Sequence, residues 1–271
     1  MNQVVYCGNK AISEGLLLSL LSYREKSDEP LCVYLVTGDF SPLEKTYQPL
    51  GEAERAFFED VLKEKNPESQ VILLDETALF LKEFADSPNI DTPYTPYSML
   101  RMIFDLEPRL PERLLYLDAD TVVEQDPSTL FRIDLDACDR AMVPDAVFSK
   151  MFDPHYCNSG VILFDLNKVR RDGLLKEGRH LLNTHKFTMP DQEALNRCQK
   201  EKILLLPRIY NEQRELSSDT IIRHYCQQIR LMHIEKSKPW DGEKFLKGYP
   251  NEPHEELLKL FAKKRKYLKA K

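Results

Sequence analysis

Short apolar runs rich in β-branched and aromatic residues alternate along the chain with longer segments of helical spacing. The helical spacing is clearest in "ISEGLLLSLLSYREK" and "EAERAFFEDVLKEK". The runs that predict strands lie at residues 3–7, 31–36, 70–75, 113–118, 140–145, 159–165, 202–207 and 229–234. This alternation is typical of an α/β fold with a mostly parallel, Rossmann-like sheet between layers of helices. Some of the later strands are expected to pair antiparallel.

Nothing in the pattern marks an internal domain boundary, because repeats and low-complexity linkers are absent from the sequence. We therefore predict one domain over residues 1–258, followed by a tail over residues 259–271. A proline-rich segment, "ADSPNIDTPYTPYS", predicts a loop before a helix near residues 98–107.

The tail differs from the rest of the chain in charge. The formal net charge is −6, yet the tail is rich in lysine and arginine and contains no acidic residue. Apolar residues such as Leu260 and Phe261 lie among these cations, as in a helix that rests on an anionic membrane. A solvated C-terminal helix gives the same pattern, so both interpretations stay open.

The remaining composition predicts a cytoplasmic protein that the tail could hold at the inner face of the cell membrane. The start, "MNQVVYCGNK", does not resemble a secretory signal, and no apolar run approaches the length of a membrane span. The six cysteines are far apart and form no CxxC pair, which favours free thiols. We do not expect nucleic-acid binding, because the acidic body would repel phosphates and no recognition motif is present.

The stretch "LLYLDADTVV" places Asp118 and Asp120 at the end of a predicted buried strand. Residues two apart in a strand point to the same side, about 6.6 Å from each other. Two such carboxylates can hold one hard cation, and ligands usually bind at strand ends in open α/β sheets. The alternative is that both aspartates merely form a turn.

Two enzyme classes place this pair after an apolar strand. In the haloacid-dehalogenase-like phosphatases the first aspartate, here Asp118, is a nucleophile. In nucleotide-sugar glycosyltransferases of GT-A fold, the pair holds a divalent ion on the diphosphate. The phosphatase motif normally lies on the first strand and has a later acidic cluster, which this sequence does not show. The order of the segments therefore favours the glycosyltransferase interpretation.

From Tyr97 to Trp240 the chain resembles glycosyltransferase family 8, which includes bacterial lipopolysaccharide galactosyl- and glucosyltransferases and glycogenin. Four segments carry the resemblance in the family's order: "YSMLRM", "CNSGVILFDL", "MPDQEALN" and "MHIEKSKPW". Two departures accompany it. The glycine expected after the histidine is missing from a shortened loop, and the N-terminal acidic nucleotide-binding motif is replaced by "YCGNK".

The resemblance implies a retaining enzyme that moves glucose or galactose from a UDP-sugar to a glycan or glycolipid acceptor. It also implies a divalent ion, Mn²⁺ or Mg²⁺, held by Asp118, Asp120 and His233. Two carboxylates and an imidazole leave coordination positions open for diphosphate oxygens. The ion would stabilise the charge on the departing diphosphate.

The resemblance assigns further roles. It places Arg101 and Lys238 on the diphosphate, Cys7, Asn9 and Ala119 on the nucleotide, Asp191 and Gln192 in the sugar pocket, Asn158 on sugar hydroxyls, and Asp145 on the acceptor side. Simpler roles remain open for Asp191 as a helix cap and for Trp240 as a packing residue. Because two motifs are altered, a protein that binds a nucleotide-sugar without transferring it is also retained as an alternative.

Overall fold

The computed structural model describes residues 1–92, 96–226, 228–230, 233–235, 238, 240 and 254–268, with the backbone alone for 228–230 and 233–235. The strands are β1 (Asn2–Cys7), β2 (Leu31–Thr37), β3 (Gln70–Asp75), β4 (Arg113–Leu117), β5 (Thr121–Val123), β6 (Arg140–Pro144), β7 (Cys157–Asp165), β8 (Ile203–Leu205), β9 (Ile222–His224), β10 (Gln228–Arg230) and β11 (His233–Glu235).

The α-helices are α1 (Ser13–Lys26), α2 (Glu52–Lys63), α3 (Thr77–Phe84), α4 (Phe148–Met151), α5 (Leu166–Asp172), α6 (Leu174–Thr184), α7 (Pro190–Arg197) and α8 (Glu255–Leu268). Segments of 3-10 helix cover Lys10–Ile12, Pro96–Leu106, Pro127–Arg132, Lys200–Lys202 and Arg208–Tyr210. Among the helices described, none is long and apolar enough to cross a membrane.

Seven strands form the central sheet in the order β3-β2-β1-β4-β7-β6-β8. Six of them run in one direction, and β7 alone is antiparallel to its neighbours β4 and β6. The strand β2 is buried along its whole length, as expected where helices cover both faces of a parallel sheet. The predicted α/β fold with a mostly parallel sheet is confirmed.

The core forms one layer on each face of the sheet, because successive residues of a strand point to opposite faces. In β1, Val4 and Tyr6 belong to the layer that packs against α1 and α2. Val5 belongs to the other layer, with residues of the 3-10 segment Pro96–Leu106 and of α6. The alternation continues in β4, where Leu115 and Leu114 lie in different layers.

Most of the predicted strands and both of the predicted long helices are present, but β5 and β9 were not predicted, and two further details differ. The segment near residues 98–107 is a 3-10 helix over Pro96–Leu106. The prediction of one strand over residues 229–234 is wrong, since β10 and β11 pair antiparallel with Arg230 opposite His233, outside the central sheet. A short apolar run has the same appearance whether the chain continues or reverses within it.

The C-terminal helix α8 packs against α1. Phe261 is buried in the core layer beside α1, and Leu257 and Leu260 pack against the same layer. Arg265 forms an ion pair of 2.6 Å with Glu14 of α1. The helix begins before residue 259, so it crosses the boundary predicted between the domain and the tail.

Candidate active site

The carboxyl end of β4 holds a cluster of two carboxylates and one imidazole. Asp118 and Asp120 follow β4 directly, and the short strand β5 then pairs antiparallel with β9, which places Thr121 opposite His224. The His224 Nε2 atom lies 3.2 Å from Asp120 Oδ1 and 3.6 Å from Asp118 Oδ2. One ligand atom from each of the three residues lies within 4.8 Å of the others.

Gly160 of β7 makes this approach of His224 possible. A Cβ atom at Gly160 would lie 2.1–2.7 Å from three atoms of the His224 ring, which is closer than van der Waals contact allows. The Gly160 carbonyl also accepts a hydrogen bond of 2.8 Å from the Asp118 backbone N–H. The Asn-Ser-Gly segment therefore supplies the space in which His224 meets the aspartates.

A second hydrogen bond orients the His224 ring. Its Nδ1 atom lies 3.0 Å from Asn211 Oδ1, and the Asn211 side-chain N–H donates to Asn158 Oδ1 at 2.9 Å. Asn211 presents its amide oxygen to Nδ1, so this contact holds a proton on Nδ1, and Nε2 is the ring atom that faces the two aspartates. This arrangement is the one by which outer residues usually fix a metal-binding histidine.

Arg101 is a buried cation beside Asp118. Its Nη2 atom donates to Asp118 Oδ1 at 3.0 Å and to the Tyr116 hydroxyl at 2.6 Å, and its Nη1 atom lies 3.4 Å from Asp191 Oδ2. Burial alone would lower the pKa of Arg101, but Tyr116 and the two carboxylates hold it above its usual value. The guanidinium is therefore charged and links the aspartate pair to α7.

Lys238 is a second cation, which contacts the other aspartate of the pair. Its ammonium donates to Asp120 Oδ2 and, at 2.8 Å, to the Tyr225 carbonyl. Burial favours a higher pKa for Asp120, but the charges of Lys238 and His224 outweigh it and hold that pKa well below its usual value. Asp120 is thus ionised, as a carboxylate ligand of a cation must be.

The residues predicted for the sugar pocket form a connected polar group next to these charges. In the first turn of α7, Asp191 accepts from Ser159 Oγ at 3.2 Å, and the Gln192 amide oxygen accepts from the Ser159 backbone N–H at 3.1 Å. Asp145 Oδ2 lies 3.3 Å from Asn158 Nδ2 and 3.4 Å from Gln192 Nε2. Asp191 is therefore used for side-chain contacts inside the pocket, and Met189 is the N-cap residue of α7.

A cavity of about 780 Å³ joins these groups. Its volume lies in the range of about 300–1,000 Å³ that small-molecule sites occupy. Every predicted site residue with a described side chain lines it: Cys7, Asn9, Arg101, Asp118, Ala119, Asp120, Asp145, Asn158, Asp191, Gln192 and Lys238. Burial raises the pKa of the Cys7 thiol well above its usual value, so Cys7 is a neutral wall residue.

Trp240 packs where Gly15 leaves room at the start of α1. A Cβ atom at Gly15 would lie 2.6 Å from the Trp240 ring and 2.9 Å from the Ala119 carbonyl oxygen. Trp240 also lies against the core layer that contains α1. This supports the packing role, and Trp240 also lines the cavity, as Lys238 and the aspartates do.

Two histidines have to be distinguished: His233, which was predicted as a metal ligand, and His224, which was not. The side chain of His233 lies outside the described residues, so its role as a metal ligand stays a prediction. His224 was missed by the sequence reasoning. It lies two residues after the apolar pair Ile221-Ile222, and so short a run does not mark the histidine as a ligand.

The donor set suits a divalent ion. Two carboxylates and an imidazole are the ligand types that Mn²⁺ accepts, and carboxylates also suit Mg²⁺. Among the described residues, Asp118, Asp120 and His224 could hold such an ion, and their outer partners are Arg101 and Asn211.

Residues 101–244, more than half of the chain, match the sequence profile of glycosyl transferase family 8. The chain belongs to this family. Membership sets aside the phosphatase interpretation of Asp118. The family segment begins at the buried Arg101 and includes the aspartate pair, the Asn-Ser-Gly segment, α7 and Lys238, which line one part of the cavity; Cys7 and Asn9 line it from outside that segment.

Two curated proteins match part of the chain. A lipopolysaccharide 1,2-glucosyltransferase of Escherichia coli K12 is 35% identical over 151 residues, which is 48% of this chain and 44% of that protein. A probable glycosyl transferase, Gly, of Streptococcus gordonii is 34% identical over 102 residues, which is 37% of this chain and 15% of that protein. The chain thus matches less than half the length of either relative.

Solved structures share the fold over nearly the whole chain. The galactosyltransferase LgtC, in complex with donor and acceptor sugar analogues, superimposes with a TM-score of 0.67 at 17% identity, covering 96% of this chain and 95% of LgtC. GlyE of Streptococcus pneumoniae TIGR4 superimposes with a TM-score of 0.65 at 19% identity, covering 97% of this chain and 63% of that protein. The predicted GT-A fold is confirmed.

Proposed function

We propose that this family 8 chain is a retaining glycosyltransferase that depends on a divalent metal ion. It moves a hexose, glucose or galactose, from a UDP-sugar to a glycan or glycolipid acceptor. The observation that carries the proposal is the convergence of Asp118, Asp120 and His224 at one end of the sheet, within 4.8 Å of one another. Lipopolysaccharide precursors are the proposed acceptor class, because one relative is named for that activity.

The charges of the site suit a diphosphate as leaving group. A bound Mn²⁺ or Mg²⁺ would supply Lewis-acid stabilisation of the diphosphate oxygens. Lys238 adds a fixed positive charge beside Asp120, and Arg101 holds Asp118 in place. Such preorganised charge stabilises a leaving group because little has to reorient during the reaction.

The sugar is expected to lie toward α7, where Asp191, Gln192 and Asn158 offer hydrogen-bonding groups. We propose that the acceptor hydroxyl attacks the anomeric carbon from the same face that the diphosphate leaves. The bond from that carbon to the diphosphate oxygen breaks, the bond to the acceptor oxygen forms, and the leaving oxygen takes the acceptor proton. Gln192 positions the sugar and does not act as a nucleophile.

A thermal-shift panel tests the donor and the metal together. The ligands are UDP, UDP-glucose, UDP-galactose and UDP-N-acetylhexosamines, each with and without Mn²⁺. We expect UDP and one UDP-hexose to raise the melting temperature with Mn²⁺ present, because a ligand that binds only the folded state stabilises it. Release of UDP from that donor in the presence of acceptor sugars would then measure transfer.

A matched pair of variants makes the panel specific. Asp118→Asn is expected to lose the Mn²⁺-dependent shift, and Asp86→Asn, at an exposed position, is expected to keep it. A wild-type protein that shows no shift with any UDP ligand contradicts the proposal. A shift without turnover on any acceptor would identify a nucleotide-sugar-binding protein that has no transferase activity.

We further propose that the protein works at the cytoplasmic face of a membrane, held by the cations of residues 259–271. The apolar residues of α8 already pack on α1, so the expected contact is electrostatic and uses exposed lysines such as Lys263 and Lys266. Each cation near an anionic surface contributes about 1 kcal/mol.

Co-sedimentation with vesicles of phosphatidylglycerol and phosphatidylcholine tests this proposal. The double variant Lys263→Gln with Lys266→Gln is expected to bind more weakly than wild type, whereas Lys45→Gln with Lys82→Gln, at exposed positions outside the tail, is expected to bind equally. Equal binding of both double variants rejects the membrane proposal and leaves α8 as a packing helix.

A further inference from the structure

An exposed apolar surface lies beside the cavity, on α4 and the loop that follows it. Phe152 and Met151 are 73% and 67% exposed, more than any other large apolar side chain that the structure describes. The Phe148 ring stacks on the Phe152 ring with their centroids 5.6 Å apart. The centroid of the Phe148 ring also lies 5.5 Å from that of the Tyr156 ring. We call Phe148, Met151, Phe152 and Tyr156 the aromatic patch. An exposed apolar patch of this kind marks a binding surface more often than an isolated apolar residue does.

The aromatic patch is continuous with the cavity, since Phe148 belongs to both. One carboxylate fixes their relative position. Asp145 Oδ1 accepts from the backbone N–H groups of Val147 and Phe148, each at 2.9 Å, while its Oδ2 atom faces Gln192. Asp145 therefore holds the backbone at Phe148 and also contacts the proposed sugar pocket.

We propose that the aromatic patch is an outer acceptor subsite, which binds the saccharide unit next to the one that receives the transferred hexose. This inference rests on the proposed function. A pyranose ring presents a flat face of C–H groups, which packs on an aromatic ring without needing hydrogen-bond partners. The patch meets the cavity at Phe148, close to Asp145, which lines the proposed acceptor side.

Ligand-observed saturation-transfer NMR on the full chain, with UDP and Mg²⁺ present, tests the subsite. The probes are methyl β-galactoside and methyl β-glucoside as single units, and lactose and cellobiose as two-unit sugars. Phe152→Ala is the test variant, and Tyr267→Ala is the control, because Tyr267 is a 60% exposed aromatic residue on α8. We expect Phe152→Ala to weaken the binding of a two-unit sugar by about three- to tenfold, with the affinities for single units and for UDP unchanged.

Several results would overturn this inference. They are equal affinity of wild type and Phe152→Ala for the two-unit sugars, equal loss for single units, or no preference of wild type for two units over one.

Dissociation of a wild-type dimer by Phe152→Ala would make the patch a contact between copies of the chain. Loss of vesicle binding in that variant would make it a lipid contact. If wild type binds UDP but no two-unit sugar, the subsite alone fails; if it binds no UDP, the proposed function fails as well.

Discussion

Along its strand order the central sheet has two sides, one formed by β3, β2 and β1 and the other by β4, β7, β6 and β8. They are built from different residues, and we expect mutations on the two sides to have different effects. On the side of β1, β2 and β3, all strand pairs are parallel, and the buried positions of β1 and β2 from Val4 to Tyr6 and from Leu31 to Val36 are apolar or aromatic. On the other side, β7 runs antiparallel and buries Asn158 and Ser159. The first side is stabilised chiefly by removal of apolar area from water. The second holds polar groups whose position depends on distant partners.

The largest expected effect is on catalysis, from Asp120→Asn. The amide can neither hold a divalent cation as a carboxylate does nor neutralise Lys238, which Asp120 contacts directly. We expect UDP-sugar turnover to fall about 100- to 1,000-fold, measured as UDP release at a temperature where circular dichroism shows the variant folded. Turnover equal to that of wild type would remove Asp120 from the mechanism.

The opposite result is expected from Leu62→Ala on the apolar side. Leu62 lies in α2, is 1% exposed and belongs to the core layer against β1 and β2. The cavity left by the missing atoms should lower the free energy of unfolding by about 2–5 kcal/mol, measured by urea denaturation. The UDP affinity of the folded protein should not change. A weaker UDP affinity would show that the two sides are coupled.

A smaller effect, confined to metal binding, is expected from Gly160→Ala. The new methyl group would displace the His224 ring, which lies within 2.1–2.7 Å of the added atom's position. We expect the affinity for Mn²⁺ to fall about 10- to 100-fold, measured by titration in the presence of UDP. Gly178→Ala in α6 is the matched control, because a Cβ there meets only the flexible ends of Met102 and Cys198. Equal Mn²⁺ affinity in the two variants would refute the role of His224.

The smallest effect concerns Glu76, a buried carboxyl on the apolar side, and it depends on pH. Burial, together with the neighbouring Glu107, raises the pKa of Glu76 from 4.5 to about 7, and Arg109 only partly opposes this. Between pH 4.5 and about 7 the folded state therefore binds more protons at Glu76 than the unfolded state does. The contribution of Glu76 to the free energy of unfolding is complete below pH 4.5 and is lost as the pH rises toward about 7.

Glu76→Gln is expected to remove this decline. Comparison of urea unfolding at about pH 5 and about pH 8 should show a loss of stability in wild type that the variant lacks. Glu107 does not contribute to this pH dependence, because Arg109 holds the pKa of Glu107 at about 2, below the range of the comparison. A variant with the same pH dependence as wild type would mean that Glu76 is already ionised in the folded protein.

Particular residues show how far the sequence alone reaches. Asp118, Asp120, Asn158, Asp191 and Gln192 were found from short segments, and each lines the cavity. His224 was not found, because its approach depends on the pairing of β5 with β9 and on the missing side chain at Gly160. The aromatic patch likewise gave no signal, since the sequence "FSKMFDPHY" does not reveal that Phe152 is exposed while Phe148 faces a cavity.

The sequence by itself determined the α/β architecture and the strand end at which the two aspartates lie. Both follow from local patterns, because the period of apolar residues distinguishes strand from helix and a polar pair after a buried strand must leave the core. Only the tertiary structure showed that His224 meets the carboxylates, that Lys238 pairs with Asp120, and that α8 packs on α1. These contacts join residues far apart in the chain, and their geometry depends on strand pairing and on the space between side chains, which no local pattern encodes.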